Sequence, residues 1–127
     1  MVSFIAYLRK DEGSDYGVEF PDVPGCVTAG RTLDEARAMA AEALAGHVAA
    51  LEAEGMPVPV PSTMDALRTD PNREDAVLIL VDLEPDLLKP ERVNVMIPRH
   101  LLGRIDAASG GNRSRFLAEA AEMKLAS

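Results

Sequence analysis

Near its C-terminus the chain reads Arg92-Val93-Asn94-Val95-Met96-Ile97-Pro98, and this short stretch decides how the last part of the molecule folds. The residues alternate, so the pattern predicts a β-strand with Val93, Val95 and Ile97 on one face and Arg92, Asn94 and Met96 on the other. A single strand can neither pair its backbone groups nor bury its apolar face alone. Its predicted partner is the same strand of a second copy of the chain.

Two predicted helices follow this strand, separated by Gly110-Gly111-Asn112. A strand followed by two helices is typical of the ribbon-helix-helix arrangement, in which two chains form an antiparallel ribbon. Such a ribbon fits the major groove of DNA. We therefore expect residues 91–127 to form a dimeric DNA-binding module. The expected core of the intertwined dimer consists of Leu101, Leu102, Ile105, Phe116, Leu117 and Ala120.

The outward residues of the ribbon are candidates for reading DNA bases. Arg92 can donate to O6 and N7 of guanine, and Asn94 can bond to N6 and N7 of adenine. Met96 can touch a thymine methyl group but cannot read a pattern of donors and acceptors. The alternative is a dimerisation strand whose polar side chains are merely solvated. The complete strand-helix-helix pattern favours base contact, and a dimer would then read a palindrome or a repeat.

The start of the last predicted helix is a candidate site for DNA phosphates. Asn112 is a favourable N-cap, and Arg113, Ser114 and Arg115 occupy the first turn. Free backbone N–H groups at a helix start bind anions, whereas the helix dipole disfavours arginine there. Two arginines in this turn therefore indicate an external anion, with a solvated surface as the alternative.

The charge of the chain is divided unevenly. The net charge is −8, but residues 1–90 hold 7 Lys and Arg against 17 Asp and Glu, which is −10. Residues 91–127 hold 6 against 4, which is +2. Phosphate contacts depend on local charge, so the acidic total does not exclude DNA binding but predicts weak non-specific affinity. The acidic first part serves either solubility alone or the attraction of a basic partner.

The first part of the chain predicts an α+β domain, with a small antiparallel-meander sheet covered by one helix in the order β-β-β-α-β. Strands are expected over 2–8, with Phe4, Ala6 and Leu8 on one face, and over 16–20, 26–29 and 76–83. The last is expected to be buried on both faces because it is almost entirely aliphatic. Residues 63–75 predict a polar loop. The expected division is a partner-binding domain over 1–84, a linker over 85–90 and the ribbon-helix-helix module over 91–127.

One helix is predicted from Leu33 to about Glu54. Thr32-Leu33-Asp34-Glu35 is a capping box, which marks its start. The alternate prolines after Met56 exclude a helix and indicate an extended connector, in preference to a peptide-docking motif. The apolar stripe of the helix is formed by Leu33, Ala36, Ala40, Ala43, Leu44, Val48 and Leu51.

No arrangement of residues predicts catalysis, a metal site or a cofactor. Two-metal phosphoryl chemistry needs several carboxylates converging from strand interiors, and the first predicted strand has none. Cys26 is interpreted as a small buried apolar residue, and His47 as a packed or surface residue. One cysteine, and no apolar run long enough to span a bilayer, fit a cytoplasmic protein without a membrane partner.

Residues 16–30 carry a recognisable motif, Tyr-Gly-Val-Glu-Phe-Pro-Asp-Val-Pro-Gly-Cys-Val-Thr-Ala-Gly. Thr32-Leu33 and Glu35-Ala36 follow it, and later come Gly55 and Pro57-Val58-Pro59-Val60-Pro61-Ser62. This pattern resembles the N-terminal domain of HicB-type antitoxins over most of residues 2–83. The resemblance implies a truncated ribonuclease-H-like fold that has lost catalysis and binds HicA, a small basic toxin that cleaves mRNA.

HicB-type antitoxins carry either a helix-turn-helix or a ribbon-helix-helix module at the C-terminus, and residues 91–125 resemble the second type. Many ribbon-helix-helix proteins have a polar or basic residue at the third outward ribbon position, where this chain has Met96. The resemblance implies an antitoxin that neutralises a HicA-like toxin and represses its own operon, as a homodimer or a tetramer. The alternatives are a stand-alone ribbon-helix-helix regulator, whose first domain senses a ligand or oligomerises, and a residual nuclease.

Overall fold

The computed structural model describes residues 2–127, which form two compact units, one ending at Pro90 and the other beginning at Glu91. No helix within this described range is both long and apolar enough to cross a membrane. The first unit contains β1 (Ser3–Lys10), β2 (Tyr16–Glu19), β3 (Val27–Gly30), α1 (Leu33–Ala53), α2 (Met64–Leu67), a 3-10 turn (Pro71–Arg73) and β4 (Val77–Asp82). The second unit contains α3 (Arg99–Ser109) and α4 (Arg113–Ala126).

The four strands form one antiparallel sheet in the order β3-β2-β1-β4. β1 is therefore a central strand, and its Tyr7 lies between Glu19 of β2 and Leu78 of β4. The predicted α+β class is confirmed, as is the small antiparallel sheet with a covering helix.

The main core lies between one face of the sheet and α1. Phe4, Ala6 and Leu8 alternate on β1 as predicted, and all three are buried. The small side chains of Ala36 and Ala40 let α1 approach the sheet closely. On α1 the buried residues are Ala36, Ala40, Leu44, Ala45 and Val48.

The start of α1 confirms the predicted N-cap and corrects the predicted apolar stripe. Thr32 is the N-cap, because its hydroxyl accepts a hydrogen bond from the Glu35 N–H at 3.1 Å. Leu33 was wrongly placed in the stripe, since it is 44% exposed at the helix start. Gly30 allows β3 to meet α1 here: a Cβ atom at this position would lie 2.4 Å from the Ala36 nitrogen.

The prediction of a polar loop over residues 63–75 was wrong. Thr63 caps α2 by accepting a hydrogen bond from the Ala66 N–H, and Leu67 of this helix is buried. Leu67 packs against Ile5 and Tyr7, which point to the sheet face opposite α1. The segment forms structure because these two side chains of a central strand need an apolar cover.

A buried tyrosine ties this covering segment to the sheet. The Tyr7 hydroxyl donates a hydrogen bond to Asp70 Oδ2 at 2.7 Å. Burial, together with Asp70, raises the pKa of Tyr7 to about 12. The same hydrogen bond lowers the pKa of Asp70, because it stabilises the ionised carboxylate.

The prediction that the last strand is buried on both faces was also wrong. β4 lies at the edge of the sheet, and Leu80 is 70% exposed. A continuous aliphatic run predicts a central strand. The position of a strand in a sheet, however, depends on its pairing with distant parts of the chain.

Residues 20–26 of the motif found in residues 16–30 form a compact turn, here called the motif turn. Its apolar side chains are part of the main core. Phe20, Val23 and Cys26 are buried, and the Phe20 N–H donates to the Cys26 carbonyl at 3.1 Å. Asp22 reaches out of the turn and accepts two hydrogen bonds from Ser62, from the backbone N–H at 2.7 Å and from the hydroxyl at 2.6 Å. Asp22 thus joins the motif turn to the end of the proline-rich connector.

We predict that Asp22→Ala lowers the free energy of unfolding by about 2 kcal/mol, because it removes two hydrogen bonds to a charged, part-buried acceptor. Urea unfolding followed by circular dichroism measures the change. Asp15→Ala is the control, since it removes the same charge from an exposed loop. Equal stability of the Asp22 and Asp15 variants would contradict this role for Asp22.

Candidate functional site

The second unit is a pair of helices with few buried residues. Gly110 ends α3 in a left-handed conformation (φ 63°), which turns the chain toward α4. Within residues 91–127 only Ile105 is buried. Large apolar side chains on this unit remain exposed, namely those of Val93, Val95, Met96, Leu101, Met123 and Leu125. A surface of this kind is typical of a unit that needs a partner to cover it.

The predicted ribbon residues lie before α3, in residues 91–98, which belong to no helix or strand in the single chain. A strand is defined by hydrogen bonds to a neighbour, so the two-chain ribbon stays a prediction. Arg92, Asn94 and Met96 are exposed, as base-reading residues must be. Val93 and Val95, on the opposite predicted face, are 70% and 65% exposed.

The predicted phosphate site lies at the start of α4. Asn112 is confirmed as the N-cap, because its side-chain oxygen accepts a hydrogen bond from the Arg115 N–H at 3.0 Å. Ser114 is exposed in the same turn. The structure therefore brings the four predicted residues, 112–115, to one helix end.

Both arginines of this turn have carboxylate partners within the chain. Arg113 donates from Nε and Nη2 to the two oxygens of Asp106, at 3.0 and 2.9 Å, and this lowers the pKa of Asp106. Arg115 donates to Glu119 at 2.9 Å. These local counter-charges weaken the argument that the turn requires an external anion. Both pairs are solvent-exposed, and exposed ion pairs contribute little to stability.

The first unit presents acidic side chains at both ends of α1. Asp34 and Glu35 lie in the first turn, where the helix dipole favours negative charge. Glu52 and Glu54 are exposed at the other end, where the dipole disfavours it and where no basic residue occupies the last turn. This acidic end of α1 (Glu52 and Glu54) would be stabilised by a positively charged partner.

Sequence reasoning did not identify a cleft of about 180 Å³ between the motif turn and the 3-10 turn. Tyr7, Glu19, Cys26 and Asp70 contribute to its lining. Its two carboxylates are already engaged, Glu19 with Arg9 at 3.1 Å and Asp70 with Tyr7. Over residues 2–127 no group of three His, Cys, Asp or Glu side chains is placed to hold a metal ion. The cleft arises from long-range packing, which leaves no local signal in the sequence.

Comparison with protein families identifies the chain. Residues 4–121 match the family model described as the HicB-like antitoxin of bacterial toxin-antitoxin systems. The chain belongs to this family. A similar protein from Haemophilus phage HP1, an uncharacterised 14.9 kDa protein from the rep-hol intergenic region, is 34% identical over 119 residues, covering 88% of this chain and 90% of the phage protein.

Solved structures of HicB antitoxins are similar over most of the chain. The crystal structure of the Burkholderia pseudomallei antitoxin HicB is 42% identical, with a TM-score of 0.62, and the match covers 95% of this chain and 96% of that one. A chain of a HicA3 and HicB3 toxin-antitoxin complex is 31% identical, with a TM-score of 0.57, over 66% of this chain and all of that one. The resemblance drawn from the motif is therefore confirmed.

We predict that Cys26 reacts slowly with thiol reagents. The side chain is 1% exposed, and burial raises the pKa of its thiol, so both access and thiolate content are low. Labelling with a chromogenic disulfide at pH 8 should be at least ~100-fold slower in the native protein than in denaturing urea. Similar rates in the two conditions would contradict the structural role of Cys26.

Proposed function

We propose that the chain is the antitoxin of a toxin–antitoxin pair and that its first unit binds and neutralises a HicA-like toxin that cleaves mRNA. The observation that carries this proposal is family membership over residues 4–121, together with the likeness to a chain of a HicA3–HicB3 complex. Neutralisation requires binding rather than chemistry, so the chain acts without enzyme activity or a cofactor. Its place is the cytoplasm, where mRNA and the operator are found.

The charge of the first unit supports a basic partner. Residues 1–90 carry −10, and a surface of this sign speeds the association of a positively charged protein. The acidic end of α1 adds a local argument, because Glu52 and Glu54 are unfavourable in the free chain and would gain from a cation. In this proposal the first unit covers the catalytic surface of the toxin. The truncated ribonuclease-H-like arrangement implied by the resemblance belongs to the same proposal.

We predict that the full-length chain stops RNA cleavage by a HicA-like toxin when the two are equimolar. Cleavage of a labelled RNA measures this, and surface plasmon resonance gives the association rate. Glu52→Gln/Glu54→Gln should slow association several-fold at low salt and less at high salt, because salt screens the attraction. The same variant should not lose thermal stability, since it relieves the repulsion at the helix end.

Glu12→Gln/Asp15→Asn is the matched control, because it removes two charges from the exposed loop between β1 and β2. Association equally slow in both double variants would show that overall charge matters and not the acidic end of α1. A wild-type chain that neither binds the toxin nor slows RNA cleavage would overturn the antitoxin proposal. Operator binding would then favour a stand-alone regulator.

We further propose that residues 91–127 dimerise as a ribbon-helix-helix module and repress the operon that encodes the chain. The net charge of +2 and the exposed apolar residues of this unit support the proposal. Val93 and Val95 would be covered when two ribbons pair. Arg92 and Asn94 would read bases, and Met96 would touch a thymine methyl group or a sugar. Residues 112–115, at the start of α4, would bind phosphates.

We predict that Arg92→Ala and Asn94→Ala each weaken binding to the upstream DNA of the operon by roughly 10- to 100-fold, because each removes a bidentate base contact. A gel shift against specific and scrambled DNA measures this. Both variants should remain dimers in analytical ultracentrifugation, since the two side chains lie on the polar face of the ribbon. Unchanged specific affinity in the double variant would overturn the ribbon assignment.

Arg113→Ala is the contrasting variant in the same assay. It should weaken binding to specific and scrambled DNA alike and reduce the slope of the salt dependence by about one. Asp106→Asn should do the reverse, because it frees the Arg113 guanidinium from its intrachain partner. If neither variant changes the salt dependence, the start of α4 does not contact phosphate.

A further inference from the structure

The sheet face opposite α1 is covered over only one of its halves. Over β1 and β4, Leu67 packs on Ile5 and Tyr7. Over β2 and β3 the described residues provide no such cover: Val27 is 62% exposed, Ala29 is exposed as well, and neither belongs to an apolar core. The half of this sheet face that β2 and β3 form is therefore open.

The register of the strands shows which side chains occupy this open half. Glu19 lies opposite Val27, and Gly17 lies opposite Ala29. Residues directly opposite each other point to the same side of a sheet, and Glu19 also lies opposite Tyr7. These four residues of β2 and β3 (Gly17, Glu19, Val27 and Ala29) are called the open face. It offers one carboxylate, two small or medium apolar side chains and, at Gly17, bare backbone.

Gly17 is a glycine that the fold of the chain does not require. Its φ lies outside the left-handed region, and the register on both sides of it runs without a bulge. Among the described residues, a Cβ atom there would meet only the Arg9 carbonyl oxygen, at an ordinary 3.9 Å. Glycine weakens a strand, and within one it often marks a place where another molecule approaches closely. Gly17 therefore indicates close contact with a partner at the open face.

The cleft of about 180 Å³ lies beside the open face and carries an excess of negative charge. Glu19 belongs to both. Its carboxylate is balanced by Arg9, whereas Asp70 accepts hydrogen bonds from neutral groups, the Tyr7 hydroxyl and the Asn72 N–H. Within residues 2–127 no cation forms an ion pair with Asp70. A lysine or arginine of a partner would therefore be attracted to this cleft.

We propose that the basic toxin docks on the open face, with an apolar part of its surface against Gly17, Val27 and Ala29 and a lysine or arginine in the cleft beside Asp70. The proposal rests on the proposed function and adds to it the place of contact. A second copy fits less well, because each first unit carries −10 and would bring its own cleft carboxylates. The acidic end of α1 speeds association through its charge, whereas contact at the open face slows dissociation.

Filling the open face tests the proposal on the full-length chain. Gly17→Leu adds a side chain that would hold the toxin away, so the dissociation rate in surface plasmon resonance should rise roughly 10-fold or more. Thermal stability should not fall, since leucine is less costly than glycine in a strand. Ala49→Leu is the matched control, because it adds the same side chain at an exposed position of α1. It should leave the dissociation rate unchanged.

Thiol protection maps the contact without adding bulk. Ala29→Cys places an accessible thiol on the open face, whereas the native Cys26 is buried and should react slowly. A bound HicA-like toxin should slow the labelling of the new thiol at least ~10-fold, because the centre of an interface excludes solvent. Ala49→Cys is the control, and its thiol should react at the same rate with and without the toxin.

Asp70→Asn tests the cation contact. The amide can still accept the hydrogen bond from the Tyr7 hydroxyl, but the negative charge is lost. Affinity for the toxin should fall several-fold at low salt and less at high salt, because salt screens the attraction that the variant removes. Glu74→Gln removes an exposed charge from the same segment and is the control.

An unchanged dissociation rate for Gly17→Leu would overturn the docking site, and so would protection of the thiol on α1 in place of the one on β3. Equal affinities of Asp70→Asn and Glu74→Gln would overturn the cation contact. In each of these outcomes the wild-type chain still binds the toxin. A wild-type chain that binds no toxin overturns the proposed function itself, and the docking site with it, so the two failures are distinguishable.

Discussion

The packing of α1 against the inner face of the sheet is the contact on which the first unit depends. Leu44, Ala36 and Ala40 of α1 belong to one buried core with Phe4, Ala6 and Leu8 of β1. The motif turn is built onto the same core through Phe20, Val23 and Cys26. Val58 of the proline-rich connector packs there too. Loss of the helix contact would therefore loosen the sheet, the turn and the connector together.

The residues that reveal the family have structural roles in this chain. The turn buries its apolar side chains, and Asp22 uses its carboxylate to hold Ser62 of the connector. These residues of the motif therefore stabilise the fold of the first unit. The surfaces proposed to meet partners lie elsewhere, at the acidic end of α1, at the open face of β2 and β3, and at the exposed apolar side chains of the second unit.

Local patterns in the sequence predicted local structure well. Alternation placed Phe4, Ala6 and Leu8 on one face, and the capping box placed the start of α1 at Thr32. Errors came from pairing between distant parts of the chain. No local pattern could show that β4 would lie at the sheet edge, or that Leu67 would cover Ile5 and Tyr7.

In the candidate site, too, local features could be predicted from the sequence and long-range contacts could not. Asn112 was predicted as an N-cap from residue type and position alone, and the structure confirms it. The Arg115–Glu119 pair could have been read from its four-residue spacing. Asp106 could not, because it reaches Arg113 only after Gly110 reverses the chain direction. Counter-charges of this kind decide whether an arginine is available to a phosphate.

We propose above all that this member of the HicB-like family neutralises a toxin inside the cell. Growth rescue tests it most directly: a HicA-like toxin is induced in a bacterial host, with or without the chain expressed from a second promoter. We expect growth arrest with the toxin alone and restored growth when the full chain is present. Persistent arrest, with the chain abundant and folded in the same cells, would contradict it.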